Sequence, residues 1–227
     1  MKTKLNTKQI NLPERSEKLA EFVGIVLGDG NIHQYRVFVK GKSKGSNYAV
    51  RIAGDSVKDI AYIGGFVPRL IESLFGIKPS IYKQPGKNEL FVIVSRKIIV
   101  EFLIEMGLKS GNKIKNQTTI PAWIWKNEDY LKACLRGLID TDGSIYELKP
   151  NWPGLFQLTF ENWNVTLLRD TRKAFLKLGF KASQISGNRT EFGTKFYLTR
   201  KDQIAKFYKE IGFSNPRKQQ ILMSAFL

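Results

Sequence analysis

Two stretches of the chain carry apolar residues at helical spacing. Between Leu19 and Leu27 the apolar positions recur at i, i+3, i+4, i+7 and i+8, and the stretch follows Ser16, a residue type that caps helix N-termini. The same spacing returns between Leu131 and Ile139, after the polar segment 127–129. The pattern predicts two amphipathic helices, each of which ends at an Asp-Gly pair.

Alternating apolar and polar positions predict strands after each of these helices. They occupy residues 48–54, 90–96, 155–161 and 194–200, and turn-forming clusters rich in lysine, asparagine and glycine separate them. With the remaining helical segments, each half of the chain reads helix, two strands, helix, two strands, helix. The pattern therefore predicts an α+β fold.

The chain also repeats itself, which agrees with this order of elements. The segment LAEFVGIVLGDGNIH at 19–33 aligns without a gap with KACLRGLIDTDGSIY at 132–146. Further on, EMGLKSGNK at 105–113 and EIGFSNPRK at 210–218 keep a glycine and the final lysine at the same spacing. We therefore expect an N-terminal half at 1–111, a linker region at 112–129 and a C-terminal half at 130–227.

Small residues recur at every fourth position of the two repeated helices, and so they share one helix face. They are Ala20, Gly24 and Gly28 in the first helix and Ala133, Gly137 and Thr141 in the second. Short or absent side chains let a second backbone come close. If the helices pair along these faces, Asp29 and Asp142 meet at their C-terminal ends, near a local two-fold axis.

Two aspartates in this position repel each other and the partial negative charge of the helix ends. Lysines could compensate. Paired carboxylates next to free C-terminal carbonyls are also hard oxygen ligands of the kind that Mg²⁺ binds while keeping its waters. With a phosphate between them, such ions would activate a water for phosphodiester hydrolysis.

The overall charge indicates a polyanionic partner. Lysine and arginine number 37 against 20 aspartates and glutamates, a formal net charge of +17. No basic amphipathic helix with a separate apolar face is evident, and residues 95–97 interrupt the longest apolar region, so no membrane partner is expected. Nucleic acid is the expected partner.

The single cysteine and the single histidine exclude several kinds of site. Cys134 leaves no internal disulfide and no cysteine-rich zinc site, and its place on an apolar helix stripe predicts burial. His33 has no histidine partner for zinc and is interpreted as a surface or groove residue. The start of the chain lacks the apolar core of a signal peptide. We expect a soluble protein of an intracellular, reducing compartment: cytoplasm, nucleoid or organelle matrix.

The segment LRGLIDTDG at 135–143 resembles the signature of the LAGLIDADG homing endonucleases, and FVGIVLGDG at 22–30 is a weaker copy. Two copies correspond to the single-chain form of that family. The resemblance implies a pseudo-two-fold pair of αββαββα halves. Their two four-stranded antiparallel sheets would form a DNA-binding saddle over the major groove, with the motif helices paired at the centre.

The resemblance also implies which residues would act in a metal-dependent cleavage of double-stranded DNA. The acidic residues at the eighth motif position, Asp29 and Asp142, would bind Mg²⁺ (or Mn²⁺), next to the carbonyls of Gly28 and Thr141. The polar residues at a strand end correspond to Asp55, after Gly54, and to Glu161 and Asn162. The basic residues late in each half correspond to Lys113 and Lys218, as general acids or charge stabilisers at the scissile phosphates.

One position departs from the signature. Leu27 stands where the nominal motif has an aspartate, and the second copy has Asp140 there. That position is not the metal ligand in the family, so Leu27 does not argue against activity. We expect Asp140 to be a solvated or capping residue.

Polar residues on alternate strand positions and in the adjoining turns are candidates for reading DNA in the major groove. In the first half they are Gln34, Arg36, Lys40, Lys42, Lys44, Tyr48, Arg51, Lys83, Gln84, Lys87, Asn88 and Arg96. In the second half they are Tyr146, Lys149, Gln157, Gln184, Asn188, Arg189, Lys195 and Tyr197. Because the two sets differ, we expect a long asymmetric DNA target, bound by a monomer.

Two alternatives remain open for the same fold. One is an RNA-splicing maturase that holds an intron on the basic saddle. The other is a non-cleaving DNA-binding regulator in which the carboxylates only stabilise the helix pair. Acidic residues in both motifs favour the nuclease over the regulator. An intein origin is less favoured, because no splicing domain is present within these residues.

Overall fold

The first half of the chain has the predicted order of elements. The computed structural model describes residues 10–39, 42–187 and 194–226, with the backbone alone at 36–39 and 42–44. The elements of this half are α1 (Glu17–Gly28), β1 (Gly30–Val39), β2 (Lys42–Asp55), a π-helical turn (Ala61–Phe66), α2 (Val67–Phe75), β3 (Ser80–Lys83), β4 (Glu89–Val94) and α3 (Lys97–Glu105). The strands form one antiparallel sheet in the order β1-β2-β4-β3.

The second half repeats this order and adds a helix at its end. After a 3₁₀ turn (Ile124–Lys126) come α4 (Glu128–Asp142), β5 (Gly143–Glu147), β6 (Phe156–Glu161), α5 (Val165–Lys177), β7 (Lys195–Leu198), α6 (Lys201–Glu210) and α7 (Pro216–Ser224). The sheet is antiparallel in the order β5-β6-β7. The α+β prediction and the pairing of two similar halves are confirmed.

The second sheet differs from the expected four strands. Segment 182–186 lies beside β7, where Ser186 forms an isolated bridge with Lys195 and the Ser183 N–H donates to the Tyr197 carbonyl at 3.0 Å. The return bond, from the Tyr197 N–H, ends on the Ser183 hydroxyl at 3.0 Å. Because a side chain replaces a backbone carbonyl there, the ladder does not extend into a fourth strand within the described residues. Residues 188–193 lie outside them.

The two motif helices begin where the sequence predicts and pack on each other through their small residues. The Ser16 hydroxyl accepts the Leu19 N–H in α1, and the Asn127 side chain accepts the Tyr130 N–H in α4. A Cβ at Gly24 would overlap the Cys134 carbonyl, within 3.1 Å of the Leu138 nitrogen. The predicted backbone-to-backbone contact of α1 and α4 is therefore confirmed.

Each sheet buries one face on the helices. In the first sheet that face carries Val50, Ile52, Val92 and Val94, and in the second Leu158, Phe160, Phe196 and Leu198. Aromatic rings tie the helices to this face: Phe175 of α5 packs edge-on against Phe196, with centroids 5.7 Å apart. Cys134 is fully buried, as predicted, and burial raises the pKa of its thiol well above the ordinary value. The opposite face of each sheet, called the free face below, points away from the helices.

The expected linker region packs against both halves. Trp123 is buried and donates its indole N–H to the Met106 carbonyl of the first half at 3.0 Å. Asp170 in α5 accepts the Ile120 N–H at 3.2 Å and the Thr119 hydroxyl. The boundaries 1–111, 112–129 and 130–227 stay a prediction. Within the described part of the chain, no helix has the length and apolar character that a membrane span requires.

The helix contact generates a stability prediction. Gly24→Ala and Gly137→Ala should each destabilise the protein by about 1–3 kcal/mol, because the new Cβ meets backbone of the other motif helix and forces α1 and α4 apart. Chemical or thermal unfolding measures the effect. Gly65→Ala is the matched control, since its Cβ would lie 3.5 Å from the nearest atom, on the flexible Arg69 side chain. Equal stabilities for the three variants would contradict the packing.

Candidate active site

The paired helices bring the two motif aspartates together. Asp29 caps the C-terminus of α1, and Asp142 is the last residue of α4. Gly28 allows this approach, because a Cβ there would overlap the Thr141 side chain and lie 3.4 Å from the Asp142 carboxylate. Each aspartate also raises the local negative charge at the other, so the arrangement depends on compensating cations.

Two cavities lie at the ends of the helix pair. The larger, of about 200 Å³, is lined by the predicted site residues Gly28, Lys113, Asp142, Glu161 and Asn162. The smaller, of about 40 Å³, is lined by Asp29, Asp55 and Thr141, together with Gly54, Asp59, Tyr62 and Asp140. Each cavity is lined by the aspartate of one motif helix and by the residue that precedes the aspartate of the other motif helix. The predicted residues thus fall into two clusters related by the pseudo-two-fold repeat.

Lys113 and Lys218 supply the compensating charge. The Lys113 ammonium donates to the carbonyls of Leu27, at 2.9 Å, and Gly28. The Lys218 ammonium, on a residue only 5% exposed, donates to the carbonyls of Asp140 and Gly143, both at 2.6 Å, and more distantly to those of Ile139 and Thr141. Each lysine therefore neutralises the C-terminal end of its own motif helix.

Burial shifts the pKa values of this cluster. It raises the pKa of Asp142 to about 7, with the charge of Asp29 acting in the same direction and that of Lys113 opposing it. It also raises the pKa of Asp29 and lowers those of Lys113 and Lys218. Asp29 is exposed and Asp142 half-buried, so both carboxylates can reach an added cation, which would favour their ionised forms.

The donor set fits a hard divalent ion with few protein ligands. Among the described residues there is no group of three or more His, Cys, Asp or Glu side chains that could hold a metal. Each cavity instead offers a motif carboxylate near a carbonyl of the opposite helix end, and Mg²⁺ completes such sites with water and phosphate. The Gly28 carbonyl already accepts from Lys113, but a carbonyl oxygen has two lone pairs and can serve both.

The predicted polar residues behave differently in the two halves. Asn162 donates to the Asp142 carboxylate at 2.7 Å, and Glu161 lines the same cavity. Asp55 accepts the N–H groups of Val57 and Lys58 at 2.8 and 2.9 Å, and these bonds lower its pKa. The Asp55 carboxylate thus holds the turn after β2.

Gly54 explains why the first half lacks a polar side chain at this position. A Cβ there would come within 2.9 Å of Ile63 in the π-helical turn. Asp59, at the start of that turn, supplies the acidic group on this side of the site. It has no counterpart in the repeat, so the sequence pattern gave no signal for it.

Asp140 is a capping residue and is not solvated. It is 3% exposed and accepts the N–H groups of Ser214 and Asn215 at 2.9 and 3.0 Å, just before α7. Of the two expected roles, solvated or capping, the structure has the second, because α7, an element without a counterpart in the first half, covers this position. Burial raises the pKa of Asp140 to about 7. Leu27, its counterpart, is buried in the core.

In the second sheet the predicted DNA-reading residues share the free face. Tyr146 pairs with Gln157, and Thr159 pairs with Tyr197, so these side chains point away from the helices together with Lys195. Gln157 donates to the Tyr146 hydroxyl at 2.6 Å. Gln184 is exposed beside β7, and Lys149 forms an ion pair with Glu147 in the β5–β6 loop. Asn188 and Arg189 lie outside the described residues.

In the first sheet the predicted face is partly wrong. Gln34 pairs with Tyr48, and each lies two positions along its strand from the buried pair Ile32 and Val50. Residues two positions apart in a strand share a face, so Gln34 and Tyr48 lie on the face that packs on the helices. β1 starts directly after Asp29. Its side chains therefore alternate between the two faces in a register that differs by one residue from the predicted one. The free face instead carries Asn31, His33, Tyr35 and Asn47, together with Arg51 as predicted.

The remaining first-half candidates lie in turns or outside the described side chains. Lys83, Gln84, Lys87 and Asn88 surround the β3–β4 turn, and Arg96 is the exposed N-cap of α3. Arg51 lies over the Phe91 ring at 3.5 Å. The side chains of Arg36, Lys42 and Lys44 are not among those described, and neither is any part of Lys40. Their roles in DNA binding stay predictions.

Comparison with known proteins identifies the second half. Residues 129–212 match the family model of the LAGLIDADG-like domain. The whole chain resembles a structure of I-DmoI in complex with DNA and Ca, with a TM-score of 0.61, 18% identity, and 92% of this chain and 97% of that chain covered. It also resembles the meganuclease I-SmaMI bound to uncleavable DNA, with a TM-score of 0.58, 14% identity, and 95% and 89% covered. At these identities the likeness establishes the fold.

Curated relatives match the chain over a small part of their own length. The replication factor C small subunit of Methanocaldococcus jannaschii is 26% identical over 94% of this chain and 10% of that protein. A DNA polymerase of Thermococcus litoralis is 24% identical over 96% of this chain and 12% of that protein. The chain thus spans about a tenth of these relatives, and their activities are not carried over to it.

The raised pKa of Asp142 generates a pH prediction for the metal-free protein. A carboxyl whose pKa is about 7 when folded and 3.8 ordinarily makes the folded state lose stability as the pH rises toward 7. Asp142→Asn should therefore raise the melting temperature in EDTA, and by more at pH 8 than at pH 5.

Asp55→Asn is the matched control. The pKa of Asp55 lies below 3.8, so both folded and unfolded chains carry it ionised between pH 5 and pH 8. Its effect on melting should be the same at the two pH values. A gain for Asp142→Asn that does not grow between pH 5 and pH 8 would show that the carboxyl is not destabilised by burial.

Proposed function

We propose that the chain is a two-motif LAGLIDADG protein and a homing endonuclease, a site-specific nuclease that cuts both strands of DNA. One observation carries the proposal: two carboxylates, each with a lysine nearby, lie together at the ends of the paired motif helices between the two sheets. A regulator that only bound DNA would gain nothing from bringing two repelling carboxylates together at this point.

The free faces of the sheets supply the DNA-binding surface. Two-stranded ribbons fit the major groove, where each base pair presents a distinct pattern of donors and acceptors. Arg51 and Gln157 have the side-chain chemistry for reading base edges, whereas Lys195 would hold phosphate. Because the two free faces differ in sequence, the proposed target is long and asymmetric, and one chain suffices to bind it.

Asp29 and Asp142 would hold divalent ions, Mg²⁺ or Mn²⁺, with the carbonyls of Gly28 and Thr141 nearby. Such ions supply an activated water and charge stabilisation at a phosphodiester. The chain itself contributes orientation, since Asn162 fixes the Asp142 carboxylate through its amide. Lys113 and Lys218 add positive charge where a phosphate would gain negative charge.

An RNA-splicing maturase uses the same kind of basic surface and would leave the carboxylates without a role. Intron RNA is therefore the second substrate to test. We propose an intracellular, reducing compartment for the nuclease, since a chain with one cysteine has no internal disulfide.

A cleavage selection tests the proposed function. Purified protein is incubated with a randomised duplex DNA library in Mg²⁺ and, separately, in EDTA. We expect metal-dependent double-strand cuts at one long asymmetric sequence, no cuts by Asp142→Asn, and normal cutting by Asp202→Asn, an exposed aspartate on α6 paired with Arg200.

The outcomes separate the candidate functions. Asp142→Asn should still bind the selected DNA, because it removes a negative charge and leaves the basic residues of the sheets unchanged. Cutting by Asp142→Asn at the wild-type rate would contradict the metal assignment. Tight DNA binding by folded wild-type protein, without cuts in Mg²⁺ or Mn²⁺, would favour the regulator. Preferential binding of structured intron RNA would favour the maturase.

The charge of the free faces generates a binding prediction. Lys195→Met should weaken binding to all duplexes and flatten the plot of log affinity against log salt by about 0.9 per lost phosphate contact. Lys209→Met, on the exposed side of α6 in the helical layer, should change neither. Identical salt slopes for wild type and Lys195→Met would place the phosphates elsewhere.

A further inference from the structure

Asp59 connects the two halves of the molecule beside the candidate active site. It lies between β2 and the π-helical turn in the first half, and its side chain is 22% exposed. One carboxylate oxygen accepts the Asn215 amide at 2.8 Å and the Arg217 Nε–H at 3.0 Å, both from the second half. The second oxygen accepts the Arg217 Nη2–H at 3.3 Å.

The groups that Asp59 binds form the N-terminus of α7. Asn215 is the N-cap of that helix, and its side-chain oxygen accepts the N–H groups of Arg217 and Lys218. Asp140 of α4 fixes the same turn by accepting the N–H groups of Ser214 and Asn215. The first turn of α7 is therefore held from both halves at once.

This turn carries Lys218, whose ammonium lies among the carbonyls at the end of α4. Lys113, its counterpart, comes from a loop without a helix, held on the first half by the Gly111 N–H, which donates to the Ile32 carbonyl at 2.9 Å, and on the second half by the Asn164 amide, which donates to the Thr118 carbonyl at 2.8 Å. The two lysines thus reach equivalent places by different supports. The place of Lys218 depends on a contact that crosses between the halves.

We infer that Asp59 is a positioning residue for Lys218: through Asn215 and Arg217 it fixes the first turn of α7 and so the place of the Lys218 ammonium at the candidate active site. The inference rests on the proposed nuclease function for its effect on cleavage. The pseudo-two-fold axis that relates the two lysines also relates the two DNA strands. Loss of the contact should therefore affect one strand more than the other.

A partly exposed ion pair contributes little to overall stability, so a merely structural role predicts no local effect at Lys218. Positioning predicts one. In Asp59→Asn, the amide hydrogens of 214–218 should exchange faster, and Lys218 should become more reactive toward reductive methylation, both read by mass spectrometry. Arg217→Gln should do the same. Asp202→Asn, which breaks a similar exposed Arg–Asp pair, should leave both readouts unchanged.

The second readout is strand-specific cleavage of the selected DNA target. We expect Asp59→Asn to cut one strand about 10- to 100-fold more slowly, with nicked DNA accumulating and DNA affinity unchanged, because small displacements of a reacting group have effects of this size. The double variant Asp59→Asn/Arg217→Gln should be no slower than the slower single variant, since the two residues act as a unit.

The failures are distinguishable. If wild-type protein cuts and Asp59→Asn cuts both strands at wild-type rates with Lys218 still protected, the inference is wrong. If wild-type protein does not cut any DNA, the proposed function fails, and the exchange and methylation data alone decide whether Asp59 fixes Lys218. If amide hydrogens exchange faster throughout the Asp59→Asn protein, the variant is generally unfolded. If Arg217→Gln gives the same result, the inference is overturned.

Discussion

The close contact of α1 and α4 determines most of this structure. Gly24 and Gly137 let each backbone lie against the other, with no room for a Cβ on either side. That approach brings the two helix ends together, and each sheet starts within one residue of its helix end, at Gly30 and Gly143. The spacing of the helices therefore fixes both the distance between the aspartates and the placement of the two sheets that flank them.

The same contact creates an electrostatic problem that the rest of the site resolves. Asp29, which is exposed, and Asp142, which is half-buried, lie together at the ends of two helix dipoles, where an ionised carboxylate is disfavoured. Lys113 and Lys218 offset the helix ends, but burial disfavours their charged forms as well. Such a cluster costs stability in the free protein, and under the proposed function it would bind a cation and a phosphate, the usual compromise between stability and function.

The features that sequence could predict are those that repeat. The two helix stripes, the small residues and both Asp-Gly ends recur in the chain, and the structure has them in the predicted places. What the sequence could not predict lacks a repeat. Asp59 and α7 have no counterparts in the other half. Asp140 is buried because α7 covers it. Which face of the sheet carries Gln34 and Tyr48 depends on the residue at which β1 starts, and sequence periodicity locates that residue only to within one position.

The most direct measurement is calorimetric titration of Mn²⁺ into the free protein at pH 7, repeated in buffers of different ionisation enthalpy. A buried carboxyl with a pKa of about 7 is partly protonated there, so metal binding at this site must release protons. We expect Mn²⁺ binding with measurable proton release in wild type, and neither in the double variant Asp29→Asn/Asp142→Asn. Binding that is unchanged in the double variant would contradict the assignment of the two aspartates as the metal-binding pair.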